Sequence, residues 1–191
     1  MTKTEYRKFI KSVLQAMSPE QLRSKSQAAC RRMIQTTEFQ AARTVMLYLP
    51  MPGELDISML AGAVLQSSKQ LLLPRVDWHQ RQMSPIAVQS LDSCSDPHFP
   101  GIRQPIGGKP VPLHQIDLVV APGLAFSFAG GRLGRGKGFY DRFLSQPHLS
   151  ALRSAVAFHE QCRQDIPTEP HDVSLQMIVT DQEVLRIEPI R

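Results

Sequence analysis

Apolar residues near the N-terminus return every three or four positions: Tyr6, Phe9, Ile10, Val13, Leu14 and Met17. Lys3, Arg7, Lys8 and Lys11 fall on the other faces. This is the period of an amphipathic helix. Ser18-Pro19-Glu20-Gln21 then restarts one, with Ser18 as cap, Pro19 in the first turn and Gln21 closing a capping box. The second helix runs to about Ile34, so the chain opens with a helical hairpin.

Further on the pattern changes. Thr44–Leu49 is a β-type run stopped by Pro50-Met51-Pro52-Gly53. Asp56 is placed to cap a helix over residues 57–67. Gln70–Leu73 is a second apolar strand, stopped by Pro74. Strand, helix, strand is the βαβ unit of a parallel sheet. Prolines at 85, 97, 100, 105, 110 and 112 break up residues 75–115, which predicts short strands, long loops and a hairpin at the sheet edge. Leu118–Ala121 is a buried strand ended by Pro122-Gly123. A helix starts over Phe139–Leu144, and Arg153–Phe158, Met177–Thr180 and Val184–Ile187 read as strands. No repeat or linker interrupts the 191 residues, so residues 1–191 read as one α/β domain: an open, mostly parallel sheet flanked by helices.

Composition narrows the function classes. A hydrophobic share of 42% supports an ordinary globular core. Cys30, Cys94 and Cys162 are odd in number and form no CxxC pair, which argues against a disulfide framework or a zinc knuckle and for a reducing cytosol. The charged N-terminus has no apolar run behind it, and no stretch approaches the ~20 apolar residues that span a bilayer. The expectation is a cytoplasmic protein with no membrane partner. A net charge of +5 suits an anionic small substrate as well as nucleic acid, but the 6% aromatic content disfavours a base-stacking surface.

Residues 130–141, Gly-Gly-Arg-Leu-Gly-Arg-Gly-Lys-Gly-Phe-Tyr-Asp, hold five of the 11 glycines and three cations, Arg132, Arg135 and Lys137. Glycine lets the backbone approach a ligand closely, successive free N–H groups form an anion-binding concavity, and the cations add charge. The segment lies between a strand and a helix, where α/β proteins place phosphates. Gly131 to Lys137 satisfies GxxxxGK, but Gly138 stands where a P-loop needs Ser or Thr. The glycines are spaced wrongly for a dinucleotide fingerprint. The plain alternative is a solvated turn.

Pro122-Gly123-Leu124-Ala125-Phe126 followed by Gly131-Arg132-Leu133-Gly134-Arg135-Gly136-Lys137-Gly138-Phe139-Tyr140-Asp141 resembles the signature of the 5-formyltetrahydrofolate cyclo-ligase family. The resemblance continues through Lys3 and Arg7, Glu54, Leu73-Pro74-Arg75, Gly101-Ile102 with Pro105, Phe158 with Gln161, and His171-Asp172. Ser127 and Leu175-Gln176 depart from it, standing where the family often has acids.

The resemblance implies a fold like that of sugar-phosphate isomerases and CoA transferases. It implies ATP-driven closure of 5-formyltetrahydrofolate to 5,10-methenyltetrahydrofolate, with Mg2+ as cofactor and no nucleic-acid partner. Arg135 and Lys137 would be catalytic. Lys3, Arg7 and the run Arg132, Leu133, Gly134, Arg135, Gly136, Lys137, Gly138, Phe139 and Tyr140 would bind ATP. Leu49 and Glu54, with Arg135, Gly136, Lys137, Gly138 and Phe139, would bind the folate, which can carry a polyglutamate tail. Asp141 and Asp172 would support the metal, and the chain would act as a monomer. Without the resemblance, Lys3 and Arg7 read as solvated helix charges, Glu54 as an exposed acid, Tyr140 as packing, and Trp78 as a loop aromatic that could wall a pterin pocket. Two other classes stay open on the residues: an RNA-binding module using the basic loop, and an isomerase-like phosphate enzyme that needs no ATP.

Overall fold

The computed structural model describes residues 1–95 and 103–188; Gly101-Ile102 and His98 fall outside them. The expected capping box at Ser18 forms, and the structure adds one at Thr2. Thr2 caps α1 (Lys3–Gln15) with Glu5, and Ser18 caps α2 (Pro19–Ile34) with Gln21. A short third helix, α3 (Thr37–Ala41), follows. It was not expected, because five residues are too few to show a helical period.

Strands β1 (Thr44–Met46), β2 (Gln70–Asp77), β3 (Gln82–Val88), β4 (Leu118–Val120), β7 (Leu152–Ala157), β9 (Met177–Thr180) and β10 (Val184–Arg186) form one sheet in the order β10-β9-β7-β4-β1-β2-β3. The five inner strands run parallel, and the two edge strands are antiparallel. A second small sheet, β6-β5-β8, is made of β5 (Ala125–Ser127), β6 (Arg132–Leu133) and β8 (Cys162–Arg163). Helix α4 (Ser58–Leu65) crosses from β1 to β2, and α5 (Phe139–Leu144) follows the glycine segment.

Side chains alternate across the sheet as the pleat requires. Val45, Leu71, Leu73, Leu118, Val120, Val156 and Val179 face Ile10, Leu14, Ala29, Met33, Leu60 and Val64 of the helices on one side. Met46, Leu72, Val119, Ala155 and Ile178 face Phe126, Phe143 and Leu144 on the other. With both faces covered, the centres of the inner strands are buried and mostly apolar, as in other parallel sheets. The helical hairpin therefore packs on its own sheet.

Two local expectations needed correction. Pro74 does not end β2, which continues to Asp77 opposite β3 with Pro74 facing Pro85. Pro74 instead ends the pairing with β1. The parallel ladder runs as far as Leu47 N–H donating to Leu72 O at 2.9 Å. The next bond would need a Pro74 N–H, which proline lacks, so β1 stops short of the expected Leu49. Asp56 is not the N-cap of α4. That position is Ile57, which has no side-chain cap, and Asp56 reaches past it to accept the Ser58 N–H at 2.9 Å.

Candidate active site

The glycine segment is anchored at its base by strand pairing and held further along by side chains of other elements. Strands β5 and β6 pair antiparallel, and the Ser127 hydroxyl accepts the Gly131 N–H at 2.9 Å inside the turn between them. So Ser127, one of the departures from the family pattern, folds the loop. Gln176, another, accepts the Arg153 N–H at 3.0 Å, pinning β7 beside β9. Beyond β6 the chain turns through Gly136 (φ 95) and Gly138 (φ 68), both left-handed, and Gly138 is the N-cap of α5. Residues with a Cβ adopt such angles at a cost of about 1–2 kcal/mol each.

This loop forms one wall of a cleft of about 540 Å³. Every site residue expected from the sequence lines it: Lys3, Arg7, Leu49, Glu54, the whole run Arg132–Asp141, and Asp172. Helix α1 lines the cleft beside this loop, with Lys3 and Arg7 one turn apart on a single face. The loop after β1 brings Leu49 and Glu54. The β2–β3 hairpin brings Trp78, which stacks edge-on against Phe139 at 5.1 Å.

Opposite charges hold the walls together. Arg135 Nε donates to Glu54 Oε1 at 2.8 Å, and Arg7 Nε donates to Gly134 O at 2.8 Å. Lys3 Nζ bonds Asp172 Oδ2 at 2.7 Å. Burial pushes the Asp172 carboxyl up, but the Lys3 ammonium and the Glu169 N–H outweigh it, and the group stays below the usual range. Lys137 is exposed and has no ion pair among the described residues.

Arg132 differs from the expectation of an open phosphate contact. Its side chain is 3% exposed and bonds Asp141 Oδ1 at 2.6 Å. Tyr140 and Tyr48 are also deep in the wall. Burial raises both phenols, against the pull of Arg132 on Tyr140. Both hydroxyls therefore stay protonated at neutral pH, and neither is a base.

Sequence reasoning gave no role to Glu169, His171, Arg103 or Gln104, which line the same cleft. Glu169 lies 3.4 Å from Lys3 Nζ and 3.2 Å from His171 Nε2. Its main chain makes a reciprocal turn with Asp172. The Glu-Pro-His-Asp string carried that signal, because proline favours the second position of a turn and an aspartate side chain can accept the main-chain N–H three residues back.

A model of the 5-formyltetrahydrofolate cyclo-ligase family matches residues 1–181. The chain belongs to this family. Cyclo-ligases are enzymes, and the relatives span the chain. A probable 5-formyltetrahydrofolate cyclo-ligase of Caenorhabditis elegans is 30% identical, covering 98% of this chain and 97% of its own. The 5-formyltetrahydrofolate cyclo-ligase of Escherichia coli strain K12 is 28% identical over 92% and 98%. The solved structure of Aquifex aeolicus 5,10-methenyltetrahydrofolate synthetase is 32% identical, with a TM-score of 0.86 over 100% of this chain and 95% of that one. That likeness bears out the open α/β fold. Among the described residues no helix is long and apolar enough to cross a membrane.

Proposed function

We propose that this cyclo-ligase uses ATP to close 5-formyltetrahydrofolate to 5,10-methenyltetrahydrofolate, releasing ADP and phosphate. One observation carries the reading: the cations of the glycine loop and the Glu54 carboxylate meet at a single cleft. A polyanion and a pterin with N–H donors would thus be held side by side.

ATP is needed because a formamide carbon is a poor electrophile and its oxygen a poor leaving group. In the proposed sequence the formyl oxygen attacks the γ-phosphorus as the bond to ADP breaks, giving an iminium phosphate. N10 then adds to the formyl carbon and loses its proton. The C–O bond breaks and phosphate departs. The protein's task is positioning and charge stabilisation. Arg135 and Lys137 face the phosphates and the developing charge, and losing one such donor costs about 3 kcal/mol in the transition state. Lys3 and Arg7 hold the nucleotide from α1. Leu49 and Phe139 give the pterin apolar contact, and Glu54 accepts its N–H groups.

The donor set fits Mg2+. Asp141 and the Glu169–Asp172 turn offer hard carboxylate oxygens in the cleft wall, and such an ion is commonly held by one or two carboxylates plus substrate phosphates. When bound, it would neutralise phosphate charge. Three buried free thiols fit a reducing cytoplasm, and the self-covered sheet fits a monomer.

The direct test mixes purified protein, MgATP and 5-formyltetrahydrofolate and follows the near-ultraviolet absorbance of the methenyl product. A rise that depends on both substrates is expected. No rise, with folded protein and both ligands bound, overturns the reading.

A further inference from the structure

Arg132 lies in the cleft wall, but its guanidinium is occupied inside the protein. Nη2 donates to Asp141 Oδ1 at 2.6 Å, and Nη1 donates to Pro122 O at 3.3 Å. Its carbon lies 5.6 Å from the centre of the Tyr140 ring. Nε is buried with no partner in the protein. The three contacts join three chain segments: the loop after β4, strand β6 and the first turn of α5. Arg135, by contrast, is 39% exposed beside the same loop, and Lys137 is exposed.

We propose that Arg132 is a positioning residue that acts through Asp141, and that it does not hold the nucleotide phosphates. A phosphate ligand must offer N–H groups to the cleft, and a side chain this enclosed does not. Its planar fork reaches a carboxylate and a main-chain carbonyl at once. This fixes the Asp141 rotamer at the start of α5 and ties the end of the glycine loop to Pro122. Asp141, 18% exposed, is left presented to the cleft as the metal-supporting carboxylate. The proposal rests on the function given above and assigns Arg132 to the metal-dependent part of nucleotide binding.

The experiment is calorimetric titration of the whole chain with ATP, once in EDTA and once with excess Mg2+. The variants are Arg132→Lys, Asp141→Asn and Lys137→Ala. In EDTA, Arg132→Lys and Asp141→Asn should bind within about twofold of wild type, whereas Lys137→Ala loses about tenfold or more. With Mg2+ present, Arg132→Lys and Asp141→Asn should both lack most of the extra affinity that wild type gains. Arg132→Lys weakening ATP binding in EDTA as Lys137→Ala does overturns the proposal, as does a wild type that gains nothing from Mg2+.

A buried arginine variant can fail to fold, so a second measurement uses wild type. The buried Nε–H of Arg132 should give a slowly exchanging nitrogen-15 resonance. It should stay in place when ATP is added in EDTA and move when Mg2+ follows. A shift on ATP alone overturns the proposal. A wild type that binds no nucleotide under any condition overturns the functional reading itself, which separates the two failures.

Discussion

Glu54 and Arg135 hold each other across the mouth of the cleft, with Nε to Oε1 at 2.8 Å. The other carboxylate oxygen accepts the Met51 N–H at 3.0 Å, which folds the turn after β1. Before any ligand enters, Glu54 is therefore engaged at both oxygens. The proposed function asks Glu54 to take the pterin and Arg135 to take phosphate, so each ligand must draw one member out of the pair. The first ligand to bind works against the ion pair, and the second does not.

Glu54→Gln should therefore tighten folate-free ATP binding about threefold to tenfold while weakening the folate, and wild type should bind ATP more tightly when folate is present. Titration calorimetry reads both effects. Removal of a negative charge would also help ATP through space. Glu54→Gln in an Arg135→Gln background separates the two, because the gain should vanish there. A gain that persists without Arg135 rejects the exchange.

A second charged cluster lies away from the cleft. Asp181 accepts Lys25 Nζ at 2.8 Å and the His159 N–H at 2.8 Å. Burial pushes its carboxyl up, and these donors pull it further down, below the usual range. Glu38, bound to Arg186, is lowered to about 2. A carboxyl depressed in the folded state stabilises the protein above its unfolded pKa, and that contribution is lost as pH falls through the folded value. Stability should therefore hold steady from about pH 7 to 5 with respect to these groups and fall below about pH 4. Asp181→Asn should lose about 1–2 kcal/mol at pH 7, because Lys25 keeps Glu160 at 2.7 Å but it and the His159 N–H exchange an anionic partner for a neutral one. It should also flatten the acid limb of the stability profile. Urea unfolding across pH measures both.

Much of this was legible because the local codes are short. Ser18 with its glutamine partner Gln21 marks a helix start wherever such a pair occurs, and the apolar runs of β4 and β9 mark buried strands. The cleft was legible because one continuous segment, residues 132–141, supplies most of a wall. What could not be read depends on distant partners. Pro74 reads as a stop, and only the registry with Leu47 shows which ladder it stops. Strands β6 and β8 are two residues each and have no period. Arg132 and Arg135 look alike in sequence, and burial assigns them opposite surroundings.

Gln161 illustrates the same point with a measurable consequence. Its amide nitrogen donates to Gly123 O and Leu124 O, both at 3.0 Å, and its oxygen accepts the Phe158 N–H at 2.9 Å. It is buried and brackets the end of β7 to the segment that leads into the glycine loop. Gln161→Ala strands two buried main-chain groups and one half-buried carbonyl and should cost about 2–3 kcal/mol. Gln161→Glu keeps the acceptor but faces two carbonyls with a carboxylate, and should be no better. Denaturant midpoints at pH 7 check both variants.

Two glycines outside the loop should respond to the same substitution with opposite signs. Gly62 sits in the middle of α4, and a Cβ there would meet nothing within 4 Å. Alanine has the better helix propensity and restricts the unfolded chain, so Gly62→Ala should stabilise by about 0.5–1 kcal/mol. For a chain of this size that is about 1–4 °C in Tm. Turnover should be unchanged, since Gly62 does not line the cleft. Gly123 lies against Phe126, and a Cβ there would stand 2.6 Å from Cζ and 2.8 Å from Cε1 of a fully buried ring. That ring fills the core beneath β5 and has nowhere to move. Gly123→Ala should therefore destabilise by about 1–3 kcal/mol and shift the Pro122 carbonyl that Arg132 holds. Thermal melts of the pair decide it: equal shifts of one sign would mean that composition, and not the room at each site, governs these positions.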